Sequence, residues 1–278
     1  MVHGRPSDSV FGGGVSNNGM LTITNSTFSK NTASRRGGGI YSVGQLRVTN
    51  TTFSGNSASL GGAISSPNNQ GTGEVTGSTF SGNRAEGDVV SQGGAIENQG
   101  ALSVVNSTFS RNSAGGGGGI ANGGTATIIG GNTFTAELFL TNDTFSGNSA
   151  SLNNGGGGII SFNLGSVKST NTIIARSPAS DNCSGSVNDG GYNISSDASC
   201  AFSEPTSKNS TNPKLAKRLA NNGGPTKTIA LLKGSPALDA IPQDQSGCGT
   251  IVTTDQRGVK RPQGSRCDIG AFEKKQRI

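Results

Sequence analysis

One sequence pattern returns through most of the chain at intervals of roughly 25 residues, which is a period typical of solenoid repeats. Its clearest copy runs from Gly37 to Ala58 and reads GGGI, a short turn, LRVTN, TTFSGN and SA. Each unit of a solenoid stacks on the unit before it and contacts only its neighbours. The pattern therefore predicts a stacked, elongated fold rather than a compact globule.

The composition fits such a fold, although it also resembles that of disordered chains. The chain has 278 residues, of which 46 are glycine and none is tryptophan, and only 30% are hydrophobic. Low hydrophobicity with abundant glycine is common in disorder. However, disorder requires no fixed register, whereas the phenylalanine, isoleucine and asparagine positions recur regularly. A solenoid can fold with modest hydrophobicity because each unit buries a few side chains against its neighbours.

Each repeat divides into three short extended pieces. Residues 21–24 alternate apolar and polar, as a half-buried strand requires. Residues 27–29 form a second strand in which Phe28 points inward, and residues 37–40 lead into a third. The sequence therefore predicts an all-β fold, a right-handed parallel β-helix with three short strands per rung of about 25 residues.

Three sets of recurring residues would then stack in register inside the helix. An aromatic column is predicted from Phe28, Phe53, Phe80, Phe109 and Phe145. An aliphatic column is predicted from Val15, Ile40, Ile64, Ile96, Ile120 and Ile159. An internal ladder is predicted from Asn31, Asn56, Asn83, Asn112 and Asn148. Asparagine suits a ladder because its amide both donates and accepts hydrogen bonds, and we expect these asparagines also to adopt the left-handed corner conformation.

Two rows of hydroxyl side chains flank the aromatic column on the outward phase of the second strand. One row is predicted from Thr27, Thr52, Thr79, Thr108 and Thr144. The other is predicted from Ser29, Ser54, Ser81, Ser110 and Ser146. Such rows are candidate binding surfaces for glycan hydroxyls or ice-like water. The alternative is that threonine and serine simply suit exposed strands.

Insertions interrupt the period at three places, namely residues 67–73, 86–92 and 125–137. Insertions in solenoids emerge as loops on the side of the stack, where binding sites often collect. Phe139 follows the last insertion and lies on the outward phase between Leu138 and Leu140. We therefore expect Phe139 to be exposed and include it among the candidate binding residues.

The chain divides into three parts of one structural domain: an N-terminal segment, 1–11, interpreted as truncated, regular repeats, 12–180, and irregular rungs with a cap, 181–278. The four cysteines, Cys183, Cys200, Cys248 and Cys267, all lie in the last part. An even count in two close pairs suggests disulfides and an oxidising compartment. Zinc binding is the alternative, although the chain has one histidine, His3.

The remaining bulk properties exclude several classes of partner. The formal net charge is +6, without interleaved aromatics or a nucleic-acid motif, so we expect no nucleic-acid partner. The sequence has no apolar run of membrane-spanning length and no visible export signal. We expect no cofactor and no bound metal.

Several motifs resemble those of known families. The blocks NNGGPTKTIALL, GSPALDA, TDQRG and RCDIGAFE, between Asn221 and Glu273, resemble the choice-of-anchor Q family of bacterial surface β-helix proteins. The GGGI or GGAI and Phe-x-x-Asn repeats are similar to those of chlamydial polymorphic outer membrane proteins, which are autotransported adhesins. Together the resemblances imply a secreted or surface-displayed right-handed β-helix. They also imply the disulfides Cys183–Cys200 and Cys248–Cys267, in a stapled C-terminal cap.

The carboxylates do not predict a catalytic centre. Those of the repeat region lie at different phases of the rung, which disfavours an acid and base pair. They are Glu74, Glu86, Asp88, Glu97, Glu137 and Asp143. Within the C-terminal motifs, Asp239, Asp255 and Asp268 are expected to cap turns.

The sequence therefore predicts a non-enzymatic secreted or cell-surface protein that acts in adhesion or glycan binding. Its expected partners are glycans or host and cell-surface molecules, and its stacks could associate end to end. Two alternatives remain open at this point. One is a polysaccharide-active lyase or hydrolase, which would need clustered carboxylates beside an arginine or lysine. The other is an ice-binding protein, which would need a flat threonine and serine face.

Overall fold

The computed structural model describes residues 10–67, 71–87, 91–123, 127–129, 132–178 and 180–276. Within these ranges the regular structure consists of β-strands in seven successive rungs. The same ranges contain no helix that is long and apolar enough to span a membrane. The predictions about His3, Asp88 and the central residues of the three insertions fall outside the described part of the chain.

The strands are short, and most contain three or five residues. The first three rungs contain β1 (Val15–Asn17), β2 (Met20–Thr24), β3 (Thr27–Ser29), β4 (Ile40–Ser42), β5 (Gln45–Thr49), β6 (Thr52–Ser54), β7 (Ser57–Ala58), β8 (Ile64–Ser66), β9 (Thr72–Thr76), β10 (Thr79–Ser81) and β11 (Arg84–Ala85). The fourth and fifth rungs contain β12 (Ile96–Asn98), β13 (Ala101–Val105), β14 (Thr108–Ser110), β15 (Ser113–Ala114), β16 (Ile120–Asn122), β17 (Thr127–Ile129), β18 (Asn132–Phe134), β19 (Glu137–Thr141), β20 (Thr144–Ser146) and β21 (Ser149–Ala150). The remaining strands are β22 (Gly156–Ser161), β23 (Ser166–Thr170), β24 (Ile173–Ala175), β25 (Asp181–Ser184), β26 (Asn188–Asp189), β27 (Ile194–Ser195), β28 (Ile241–Pro242) and β29 (Arg266–Cys267).

Three parallel sheets of seven strands run along the stack and confirm the predicted β-helix. Sheet 1 has the order β1-β4-β8-β12-β16-β22-β25, sheet 2 the order β2-β5-β9-β13-β19-β23-β26, and sheet 3 the order β3-β6-β10-β14-β20-β24-β27. A shorter sheet 4, β7-β11-β15-β21, adds a fourth strand to the middle rungs. The third insertion contains an antiparallel hairpin, β17 and β18, between β16 and β19.

The interior contains the two predicted hydrophobic columns together with the inward aliphatic side chains of sheet 2. Successive phenylalanine rings from Phe28 to Phe145 stack with centroids 4.5 to 5.0 Å apart. The isoleucines from Ile40 to Ile159 lie in register on sheet 1 and are fully buried, and Val15 begins the column partly buried. Stacked rings and branched aliphatic side chains bury large apolar areas per rung, which compensates for the low hydrophobic content.

The predicted asparagine ladder is present. From Asn31 to Asn112, the backbone N–H and the side-chain amide of each ladder asparagine both donate to Oδ1 of the asparagine one rung on, at 2.9 to 3.0 Å. From Asn56 onward, each side-chain amide also donates to the carbonyl of the phenylalanine one rung before, at 3.0 to 3.1 Å. All five asparagines are buried, so these bonds satisfy polar groups that water cannot reach.

The left-handed conformation, however, lies at a different corner from the one predicted. None of the ladder asparagines has a positive φ. Instead the corner between sheets 2 and 3 is left-handed, because asparagine tolerates that region and glycine adopts it freely. Its residues, here called the corner column, are Asn25, Asn50, Gly77, Asn106, Asn142 and Asn171, with φ between 47° and 61°.

A second ladder, which the sequence analysis missed, follows directly after the corner column. Each hydroxyl donates to the carbonyl two residues earlier, at 2.7 to 3.0 Å, and most accept an N–H from the rung before. Its hydroxyl members are Ser26, Thr51, Ser78, Ser107 and Thr172. Asp143 takes the same position on the fifth rung, but its carboxylate accepts the N–H groups of Ser107 and Thr141, at 2.7 and 3.0 Å.

Replacing Asp143 with threonine is expected to stabilise the fold, and more at pH 8 than at pH 4. Burial raises the pKa of the Asp143 carboxyl well above its ordinary value, against the lowering effect of the two N–H groups. Between the ordinary and the raised pKa, the native state binds a proton that the unfolded state releases. The destabilisation of the fold by the Asp143 carboxyl is therefore absent below about pH 4 and grows as the pH rises. It amounts to about 1.4 kcal/mol for each unit by which the native pKa exceeds the unfolded one.

Thermal unfolding of the wild type and Asp143→Thr at both pH values would measure this gain. The matched control is Asp181→Asn, which removes an exposed carboxylate and should leave the pH dependence unchanged. An Asp143→Thr variant whose stability differs from that of the wild type by the same amount at both pH values would contradict the argument.

The C-terminal part only partly follows the predicted cap. Both disulfides implied by the resemblance are present. Cys183–Cys200 and Phe202 close the end of the stack, since they belong to the same buried cluster as the phenylalanine column. Residues 212–276, here called the strap, instead fold back along the outer side of sheet 3, and the second disulfide, Cys248–Cys267, lies in the strap.

Candidate functional site

The two hydroxyl rows form on sheet 3 as the repeat register requires. The threonines from Thr27 to Thr144 pair strand by strand, and so do the serines from Ser29 to Ser146. On the first two rungs the side chains of both rows are partly exposed, and Ser54 donates to Ser29 across the rung at 3.3 Å. Two parallel rows, in each of which successive hydroxyls are one rung apart, are therefore exposed at one end of sheet 3.

Most of the remaining row positions are covered, which corrects the prediction of an open face along the whole stack. Thr79 donates to the carbonyl of Lys227 at 2.6 Å, and Thr108 donates to Gln256 Oε1 at 2.5 Å. Thr144 accepts the N–H of Ala271 at 3.0 Å. These three threonines are buried under the strap, and Ser110 and Ser146 are buried as well, whereas Ser81 stays partly exposed.

The sequence carries a local signal for this cover on the sixth rung. On the sixth rung, the Thr-Phe-Ser triplet is replaced by Ile173, Ile174 and Ala175. Ile173 and Ala175 occupy the outward positions and are buried in an apolar cluster with strap residues such as Ile229. Apolar residues on the outward phase of a strand indicate that something packs against that face.

A pocket of about 330 Å³ lies where the open rows meet the strap. We call it the hydroxyl pocket. Sheet 3 contributes hydroxyls, and the strap contributes one cation, one amide and two apolar side chains. Its lining residues are Thr52, Ser54, Thr79, Ser81, Leu219, Asn221, Gly224, Pro225, Thr226 and Lys227.

The outer face of sheet 2 is a second open surface. Phe139 is 43% exposed there, as expected from its phase, and lies in register between Ser103 and Lys168. A groove of about 470 Å³ crosses the same face over the first strands, and its walls include the ion pair of Arg47 and Glu74, at 3.0 Å. This face therefore combines an aromatic platform with polar and charged side chains.

The described carboxylates of the repeat region are separated from one another. Glu74 pairs with Arg47, and Glu86 pairs with Arg84 at 3.3 Å. Glu97 is buried and bonds Arg36 at 3.1 Å, Ser65 and Gln99. Among the described residues, no group of three or more histidine, cysteine, aspartate or glutamate side chains is placed to hold a metal ion.

The strap contains a buried charge cluster. Arg261 is fully buried and donates to Glu273 Oε2 at 2.8 Å and to the carbonyl of Asp268 at 2.7 Å. As predicted for turn capping, Asp255 and Asp268 accept backbone N–H groups, whereas Asp239 contributes its own N–H to Asp268. The cluster organises the turns of the strap.

Comparison with known families gives one match. Two segments, residues 25–43 and 50–67, match the family model of the Chlamydia polymorphic membrane protein repeat. No curated protein and no solved structure matches the chain. The matched segments include β3 and β6, which carry the open end of the hydroxyl rows, and their repeats are similar to those of a surface or outer-membrane protein family.

Proposed function

We propose that this chain is a secreted or cell-surface β-helix that binds glycans without cleaving them, in the manner of an adhesin. The hydroxyl pocket is the observation that carries the proposal. The similarity of two repeats to the Chlamydia polymorphic membrane protein repeat, and the resemblance of the C-terminal motifs to a family of bacterial surface β-helix proteins, favour a surface role. These two similarities support where the protein acts, whereas the pocket supports what it binds.

The chemistry of the hydroxyl pocket suits a sugar chain. Hydroxyls donate and accept, so Thr52 and Ser54 can bond a sugar hydroxyl in either sense. Leu219 and Pro225 add apolar contacts, which sugar-binding pockets need beside a few oriented polar groups. None of the ten lining residues carries a carboxylate, so the pocket offers no acid and base pair for glycoside cleavage.

The covered rows disfavour the ice-binding alternative. An ice-binding face needs a wide flat array of hydroxyls, whereas the strap buries the threonines of the third, fourth and fifth rungs. The open part is a short patch that ends in a pocket, which suits a ligand of limited size. Phe139 on sheet 2 provides a second candidate contact for a longer chain, because sugar rings pack on aromatic faces.

The proposal is tested by pull-down on insoluble polysaccharides and a glycan array, with the bound polymers assayed for release of oligosaccharides. A Thr52→Val, Ser54→Ala double variant is expected to weaken binding about tenfold or more, because each lost hydrogen bond contributes about 1 kcal/mol. Thr24→Val, which changes an exposed threonine of sheet 2 outside the groove on that face, is the matched control. Unchanged binding in the double variant would reject the hydroxyl pocket, and released oligosaccharides would replace adhesion with catalysis.

A further inference from the structure

The hydroxyl pocket carries a positive charge that no carboxylate balances. Lys227 lines the pocket from the strap, and none of the ten lining residues is acidic. Lys217 and Arg218 come just before the lining residue Leu219 in the chain. Lys227 and these two basic residues are all exposed. Across the described ranges, the ion pairs are formed by arginines at other positions, so these three basic side chains take part in none.

The acidic residue of the strap segment that bonds the pocket is already neutralised. Gln256 donates to the hydroxyls of Thr79 and Thr226 at 2.9 Å. Asp255 precedes Gln256 in the chain, and its buried carboxylate pairs with Arg257 at 2.6 Å. Asp255 therefore does not balance the cation of the pocket.

The polar groups that the pocket leaves unengaged are mostly hydrogen-bond donors. The Lys227 ammonium can only donate. Asn221 Oδ1 accepts the N–H of Gly223 at 3.2 Å, which leaves the amide NH₂ group of Asn221 to donate. The Thr52 and Ser81 hydroxyls bond no other residue of the described part of the chain, so they are free to donate as well. The pocket therefore favours a ligand that carries acceptors and negative charge.

A second cation lies near the serine side of the pocket. Ser54 lines the pocket, and Gly55 follows it at the corner after sheet 3. A Cβ atom at Gly55 would lie 3.8 Å from Cγ of Lys30, so the exposed Lys30 side chain extends from the first rung towards this corner. Because the lysine stem is flexible, the Lys30 ammonium can reach a ligand at Ser54 from the side opposite the strap.

Charge distinguishes the sugars that such a pocket can select. A neutral sugar offers hydroxyls, whereas a uronic acid adds a carboxylate and a sulfated sugar adds a sulfate ester. Hydrogen bonds from an ammonium to these anionic acceptors are shorter and stronger than neutral ones. We propose that the hydroxyl pocket selects anionic glycans, with the Lys227 ammonium on the carboxylate or sulfate of one sugar unit. This inference rests on the proposed function and adds the class of glycan.

Lys227→Met tests the cation while keeping the strap in place. Methionine keeps an apolar stem of similar length, and the Lys227 carbonyl, which accepts the bond from Thr79, belongs to the backbone. Lys227→Arg keeps the charge. The matched control is Lys208→Met, which changes the net charge equally at an exposed lysine. Lys208 lies beside Ile194 on the last strand of sheet 3, away from the pocket.

The probes are two pairs of oligosaccharides that share a backbone and differ in charge, titrated by calorimetry. Trigalacturonic acid is compared with its methyl ester, and a dextran sulfate oligomer with unsulfated dextran. At least one charged probe is expected to bind the wild type about tenfold or more tightly than its neutral partner, and the pair that shows this identifies carboxylate or sulfate.

Lys227→Met should lower the affinity for that charged probe about tenfold and change the affinity for the neutral partner less than about twofold. Lys227→Arg and Lys208→Met should bind both probes as the wild type does. Raising the salt from about 50 mM to about 300 mM should weaken binding of the charged probe alone, because salt screens exposed charges.

The outcomes separate this inference from the proposed function. Equal affinity for the charged and neutral members of both pairs would overturn the selection of anionic glycans, and so would an equal loss in Lys227→Met and Lys208→Met. Neutral binding that still depends on Thr52 and Ser54 would then leave the proposed function standing. If neither pair binds and the pull-down retains no polysaccharide, both proposals are wrong.

Discussion

Replacing Asn83 with alanine is expected to lower the free energy of unfolding by about 4 kcal/mol, because it opens the asparagine ladder at its centre. Asn83 Oδ1 accepts both the backbone N–H and the side-chain amide of Asn56, at 3.0 and 2.9 Å. Its own amide donates to Asn112 Oδ1 and to the carbonyl of Phe53. Alanine leaves the two Asn56 donors unpaired in a dry interior, where each costs about 1 to 3 kcal/mol.

Urea unfolding followed by circular dichroism would measure this loss. Asn153→Ala is the control, since it removes an exposed asparagine from a turn and should cost less than about 0.5 kcal/mol. Asn83→Asp keeps the size and the acceptor but cannot donate to Asn112, and it would bury a charge. It should therefore also destabilise the fold. An Asn83→Ala variant as stable as Asn153→Ala would show that the ladder contributes little.

The features that were predicted correctly from the sequence are those that repeat. Stacking in register fixes where Phe80 and Asn83 lie once one rung is known, because each contacts its own copies on the neighbouring rungs. The alternation of inward and outward residues along a strand likewise predicted correctly that Phe139 is exposed. The ladder of Ser78 and its equivalents was equally periodic, but its residues vary among serine, threonine and aspartate, which hid it.

The features that were missed depend on contacts between distant parts of the chain. Gln256 bonds Ser78 and Thr79 from a segment that has no repeat register. Such contacts leave no periodic trace in the sequence, so the strap was expected at the end of the stack. Ile173 on an outward phase was the local sign that sheet 3 is covered.

Removing the Arg261 side chain as Arg261→Met is expected to cost about 3 to 5 kcal/mol, because it leaves the buried Glu273 carboxyl without its cationic partner. Arg261 is fully buried, and its guanidinium bonds Glu273 and the carbonyls of Asp268 and Gly270. The matched control is Arg47→Met, whose ion pair with Glu74 is exposed and should contribute less than about 1 kcal/mol.

The loss of unfolding free energy in Arg261→Met should also grow as the pH rises, because of the ionisation of Glu273. Burial raises the pKa of Glu273 to about 7, and the Arg261 guanidinium opposes that rise. Native Glu273 therefore keeps a proton that the unfolded chain has released, so wild-type stability declines as the pH rises towards 7. Without Arg261 the pKa of Glu273 rises further, and the decline continues to higher pH.

Urea unfolding of Arg261→Met at pH 5 and pH 8 should show the larger loss at pH 8. An Arg261→Met, Glu273→Gln double variant removes the Glu273 carboxyl, so it should recover part of the stability and lose the share of this pH dependence that Glu273 contributes. The share of Asp268, whose pKa is raised by burial and lowered by Arg261, should remain. An equal cost at both pH values would mean that Glu273 escapes to water once Arg261 is gone. The charge cluster would then stabilise the strap through packing and not through charge pairing. The strap over the hydroxyl rows would be held mainly by its apolar contacts with Ile173 and by Cys248–Cys267.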